Sequence, residues 1–140
     1  MLDSIKHKIK RYSIGKEFIT TGEITIVEYG SVTEIFYKDE YIEETESDSG
    51  HPMVALIALR QKLESKHKSI LALNGSRVDT TLRPTGNDIA YVIRENIIDE
   101  NDWLCIFEST NEVDKLCTVE EHEKAYDKWC EIVLPKEKLG

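Results

Sequence analysis

Apolar and polar positions divide the chain into a strand-rich first third, a central helix, a second set of short strands and a terminal helix. Residues 23–29 (Glu-Ile-Thr-Ile-Val-Glu-Tyr) are β-branched and aromatic, a composition that fits a pleated surface and predicts a strand. Gly30-Ser31 supplies a two-residue turn and residues 32–37 resume the pattern, so the two runs predict a β-hairpin. A third strand at Tyr41-Ile42 would follow a turn at residues 38–40. Ahead of these, Ile5, Ile9 and Tyr12 recur at spacings of four and three, predicting a short basic amphipathic helix up to about Tyr12, with a strand as the alternative.

Residues 43–50 abandon periodicity for charge and small polar side chains and are expected to form a loop. His51-Pro52 then opens a helix, because proline's fixed φ and missing N–H suit the first turn, with Ser49 or Gly50 near the cap. Over residues 53–66, Met53, Leu56, Ile57, Arg60 and Leu63 share one face, and Ala55, Ala58 and Leu59 widen the apolar stripe. This is the predicted central packing helix.

Ile70-Leu71-Ala72-Leu73 predicts an interior strand stopped by the tight-turn dipeptide Asn74-Gly75. Strands are expected at residues 89–93 and 103–107, separated by an acidic turn at residues 99–102. Thr118 and Glu121 form a capping box ahead of a C-terminal helix. Val119, His122, Ala125 or Tyr126, Trp129 and Val133 recur along one face of that helix, and Pro135 is expected to end it. The expected fold is α+β: a mostly antiparallel sheet of about five to six strands, with the central and C-terminal helices packed on it. Without an internal repeat or a linker, residues 1–140 read as a single domain, long enough to bury roughly 68 to 70% of its unfolded surface.

Charge changes this picture. The chain carries 18 basic and 27 acidic side chains, net −9, yet residues 1–22 hold five basic groups (Lys6, Lys8, Lys10, Arg11, Lys16) against two acidic ones, so the body is strongly acidic. Nucleic-acid readers cluster Lys and Arg to neutralise phosphates, which argues against that class and toward a basic protein partner. The N-terminus lacks a secretory apolar run, and the longest apolar stretch, residues 53–59, is far short of the ~20 residues a membrane span needs. The expected setting is the cytosol, away from membrane. Cys105, Cys117 and Cys130 have neither zinc-knuckle nor CxxC spacing and read as packed free thiols.

Two segments carry candidate chemistry. Asp39, Glu40, Glu43, Glu44, Glu46 and Asp48 place six carboxylates in ten residues. They read either as a solvated loop or as an acidic docking surface, with Tyr41 as an anchor beside Glu43, Glu44, Glu46 and Asp48. Between the later strands, Arg77, Asp79 and Arg83 sit among small residues. Two guanidiniums there are a candidate anion-binding loop, but the run has no GxGxxG or Walker pattern, and an Arg77–Asp79 or Arg83–Asp79 salt bridge is the stronger expectation. His7, His51, His67 and His122 have no zinc spacing, no cofactor motif is present, and His122 on an apolar helix face reads as a satisfied packing residue.

At Ile70-Leu71-Ala72-Leu73-Asn74-Gly75-Ser76-Arg77, with Asp79, Pro84 and Gly86 following and Ala90-Tyr91 opening the next strand, the chain resembles immunity-type proteins of bacterial polymorphic and contact-dependent growth inhibition toxin systems. The resemblance covers about residues 51–107. It implies a protein without catalytic residues that binds a cognate toxin domain in the cytosol and blocks it, often by covering a nuclease active site. Two other classes stay open. An enzyme or ligand-binding protein built around Arg77, Asp79 and Arg83, with His51, predicts a concave pocket. An adaptor predicts self-assembly through the surfaces of Trp103 or Trp129.

Overall fold

The computed structural model describes residues 3–82 and 87–139. Strands β1 (Asp3–Ser13), β2 (Phe18–Tyr29), β3 (Val32–Lys38) and β4 (Glu43–Ser49) lead into helix α1 (Pro52–His67) and the short strand β5 (Ser69–Leu71). A hairpin of β6 (Ile89–Arg94) and β7 (Ile97–Cys105) and the long helix α2 (Val119–Leu139) complete the chain. The α+β expectation holds: β4-β3-β2-β1-β5 form one antiparallel sheet, β6 and β7 a second, and the two helices complete the fold.

Alternation explains the first departure from the sequence reading. Residues up to Tyr12 are a strand, not a helix, paired with β2 from Asp3↔Glu28 to Arg11↔Thr20. The spacing of four between Ile5 and Ile9 is a multiple of two as well as a helical step. The deciding signal is Lys6, Lys8 and Lys10, which a strand turns to one face while Ile9 and Arg11 go inward. On the outward face, Lys8, Glu23, Lys38 and Glu43 stand directly opposite one another across four strands, a ladder of alternating charge that suits a solvated surface.

The expected loop at residues 43–50 is the rim strand β4, in unbroken register with β3 from Val32↔Ser49 to Lys38↔Glu43. Carboxylates that look crowded in the sequence are separated by the pleat. Glu44, Glu46 and Asp48 turn half-buried toward α1, while Glu43 faces the other side. Tyr41-Ile42 is not a strand but the turn before β4.

The inner face of the sheet supplies Ile9, Ile24, Ile26, Ile35 and Tyr37 to the core, and α1 lays Met53, Ala55, Leu56, Leu59 and Leu63 across it. His51, not Ser49 or Gly50, is the N-cap of α1, with Pro52 in the first turn. Ile70, Ala72 and Leu116 form a smaller cluster with Tyr12 and Val113 on the opposite side of β1 and β5.

The Gly30-Ser31 hairpin forms as expected, with Gly30 at φ +61. Asn74-Gly75 behaves differently. It opens a short 3-10 turn (Asn74–Ser76) inside the protein, and Gly75 is required by proximity: a Cβ there would sit 2.5 Å from Leu56 Cδ2 and 3.1 Å from the Ile106 carbonyl oxygen. The strand before it is accordingly shorter than expected.

The second hairpin turns at Glu95-Asn96, both with positive φ, rather than at residues 99–102. Those acidic residues belong to β7, in a bulge between Ile93↔Ile98 and Tyr91↔Trp103. The capping box closes α2 as read: Thr118 N donates to Glu121 Oε1 at 2.9 Å and Glu121 N to Thr118 Oγ1 at 3.2 Å. Pro135 does not end this helix, which continues to Leu139.

Candidate functional site

The acidic rim is built by β4 and the turn before it. Asp39 Oδ1 accepts from the amides of Tyr41 (2.8 Å) and Ile42 (3.0 Å), an Asx turn that leaves the Tyr41 side chain 66% exposed. Glu43 is exposed opposite Lys38. Glu44 meets His67 Nε2 at 2.7 Å and Lys66 Nζ at 3.9 Å; the hydrogen bond to His67 holds its carboxyl below the ordinary range. Glu46 meets Lys62 Nζ at 2.5 Å, and the same ammonium donates to the Thr45 carbonyl at 2.9 Å. Helix α1 thus fixes two of the rim carboxylates in place with its own basic residues.

Asp39, counted with this cluster in the sequence, leaves it in the fold. Its side chain is fully buried, 2.7 Å from Arg11 Nε and 2.7 Å from the Tyr37 hydroxyl, and Arg11 Nη1 also donates to Ser69 Oγ at 3.2 Å. Burial alone would raise the Asp39 pKa, but hydrogen bonds from Arg11, Tyr37 and two amides outweigh it and hold the carboxyl below its ordinary value. Burial pushes Tyr37 upward, so the phenol stays protonated and donates. This network ties β1, β3 and β5 at one end of the sheet.

The arginine loop is closed by its own aspartate. Arg77 holds Asp79 in a two-pronged pair, Nε to Oδ1 at 2.9 Å and Nη2 to Oδ2 at 2.6 Å, and Lys115 Nζ adds a contact at 3.2 Å. The expected Arg77–Asp79 bridge is present, and the hydrogen bond to Asp79 raises the Arg77 pKa. Arg83, Pro84 and Gly86 lie outside the described residues. A cleft of about 440 Å³ beside the β2–β3 turn is lined by residues including Glu28, Ser31, Pro52 and Asp88. A second, of about 330 Å³ between the helices, is lined by residues including Ile14, Glu64, Thr118 and Glu123. Neither of these two clefts is lined by Arg77, Asp79 or His51.

One polar centre went unrecognised in the sequence. Arg60, read as part of an apolar face, is fully enclosed. Its Nη1 donates to the Gly75 carbonyl at 2.9 Å and to His122 Nδ1 at 3.0 Å, and its Nη2 to the Cys117 carbonyl at 3.1 Å. His122 Nε2 lies 2.8 Å from the Thr80 carbonyl. Burial pulls His122 down to about 4 and pushes the Cys117 thiol up to about 11, so the imidazole is neutral and the thiol unreactive near neutral pH. Nearby, both oxygens of Glu64 accept from Val119 N at 3.1 Å, so α1 caps the first turn of α2. An arginine and a histidine at apolar helical positions were the available signal, since charge on a buried face requires internal partners.

The β6–β7 hairpin bears a second group of exposed side chains. Ile97, Trp103, Asp99 and Glu100 face solvent, Arg94 pairs with Asp102 at 2.7 Å, and Trp129 Nε1 donates to the Asn96 carbonyl at 3.0 Å, pinning the hairpin tip to α2. Among the described residues no group of three or more His, Cys, Asp or Glu comes together to hold a metal ion, and no helix is long and apolar enough to cross a membrane. In comparisons with known proteins the chain matches no family model, no curated protein and no solved structure.

Proposed function

We propose that the chain is a non-catalytic inhibitor of the immunity type, which binds a basic toxin domain in the cytosol of the producing cell and covers its active site. In support, Arg60 is bonded to His122 and Arg77 to Asp79 within the chain. The observation that carries the reading is the rim strand β4, on which Glu43, Glu44, Glu46 and Asp48 fall within seven residues beside the exposed ring of Tyr41. Such a rim steers a positively charged partner toward it, and a tyrosine offers contact area at small entropic cost.

The test is co-purification with the polypeptide encoded directly upstream, followed by titration calorimetry at low and high salt and an assay of the toxic activity. One-to-one, salt-sensitive binding that silences a toxic activity is the expected result. No binding at micromolar concentration would end this reading and return attention to an anionic ligand at Arg77 and Arg83.

A further inference from the structure

Among the described residues β4 is the last strand on its side of the sheet, and the phase of its backbone can be read from the bonds at its two ends. Asp39 N donates to the Ile42 carbonyl at 3.0 Å, and Gly50 N donates to the Ser31 carbonyl. In an antiparallel ladder, hydrogen-bonded pairs alternate with non-bonded ones. The register between those ends therefore turns the amides and carbonyls of Glu44, Glu46 and Asp48 toward β3 and those of Glu43, Thr45, Ser47 and Ser49 away from it. The Thr45 carbonyl confirms the phase, because it is met from outside by Lys62 Nζ.

We infer that this edge takes an extended basic segment of the partner as a sixth strand, hydrogen-bonded to the outward groups of Thr45 and Ser47. The inference rests on the inhibitor reading and specifies how its rim engages. Main-chain bonds to an open edge provide affinity, and side chains alternating on either side provide selectivity. Lys or Arg residues of the incoming strand would stand beside Asp48 on the helix side, where Glu44 and Glu46 are already met by Lys66, His67 and Lys62, and beside Glu43 on the other. Opposite charges across strands attract, whereas a second copy of this acidic strand would be repelled. Lys62 guards the edge in the free protein: it donates to the Thr45 carbonyl while anchored on Glu46, a contact that an incoming N–H would displace.

A capped Lys-Val-Lys-Val-Lys-Val-Lys peptide is the probe, and amide hydrogen exchange and chemical shifts of the full chain are the readouts. Slowed exchange at Thr45 and Ser47 on adding the peptide is expected. Ser47→Pro removes an outward N–H without touching the ladder to β3, and should weaken peptide binding at least tenfold at unchanged charge. Ser47→Ala should bind as the unsubstituted protein does. Binding without protection at Thr45 and Ser47, equal affinity in a folded Ser47→Pro variant, or no binding at all would each overturn the edge inference. So would concentration-dependent protection of β4 without peptide, which would make the edge a self-pairing one. Because the peptide assay needs no toxin, its failure is separate from failure of the inhibitor reading, which the upstream-polypeptide titration decides.

Discussion

The Arg60 guanidinium and the His122 imidazole meet 3.0 Å apart, Nη1 to Nδ1, in a region where neither side chain reaches solvent. Since Nε2 faces the Thr80 carbonyl, it must carry the ring's proton, and Nδ1 is left to accept from the arginine. Protonating Nδ1 would set two N–H groups against each other beside a buried positive charge.

The first prediction concerns pH. The ordinary histidine value is 6.5, and burial together with Arg60 brings His122 to about 4. Between these values the unfolded chain binds a proton that the folded chain refuses. Stability is therefore full above about pH 6.5 and declines as pH falls toward 4, by about 3 kcal/mol from this group. Urea denaturation at pH 7 and pH 4.5 measures the decline, and His122→Gln should flatten it. An unsubstituted protein equally stable at both pH values would contradict the assignment.

Arg60→Met should destabilise strongly despite its similar shape. It leaves the Gly75 and Cys117 carbonyls and His122 Nδ1 without their donor, at about 1 to 3 kcal/mol per orphaned group. Arg60→Lys should fail as well, because one ammonium cannot reproduce the planar fork that reaches all three acceptors. Chemical denaturation of the two variants checks this, and near-neutral stability in either would refute it.

Asp39→Asn should cost about 3 to 5 kcal/mol, the usual penalty for leaving one member of a buried pair uncompensated. The depressed Asp39 pKa adds a sign: its contribution is present above the ordinary carboxylate range and is lost as pH falls through the lower folded value. Combining Asp39→Asn with Arg11→Met should cost less than the two single changes together, which a double-mutant cycle at neutral pH resolves.

Gly75→Ala adds a methyl where Leu56 and Ile106 already stand. Overpacking of this kind costs about 1 to 3 kcal/mol. A thermal melt of the variant gives the answer, and an unchanged or raised melting temperature would show that α1 can shift to make room.

Much of the fold is legible in local patterns. The β2–β3 hairpin, the proline-opened helix α1 and the capping box of α2 depend on side chains within a few residues of one another, so their physics is present in any short window of sequence. Errors fall where the same pattern serves two structures. Ile5 and Ile9 satisfy a helix and a strand alike; the alternation of Lys6, Lys8 and Lys10 favours the strand, and pairing with β2 fixes it. The carboxylates of residues 43–48 look like a repelling run until Lys38, Lys62, Lys66 and His67 are brought beside them.

The candidate site follows the same division. By itself the sequence determined the acidic character of the body, the run of carboxylates beside Tyr41, and an aspartate two residues from Arg77 able to bridge it, with Arg83 as the other possible partner. Only the tertiary structure decided that Asp39 leaves that run for Arg11, 28 residues away, and that Arg60 closes on His122, 62 residues away. It also decided that β4 has an unpaired edge among the described strands. The physical reason is range: a turn or cap is satisfied by its neighbours in the chain, whereas a buried charge or an open strand edge is defined by whatever distant segment folding places beside it.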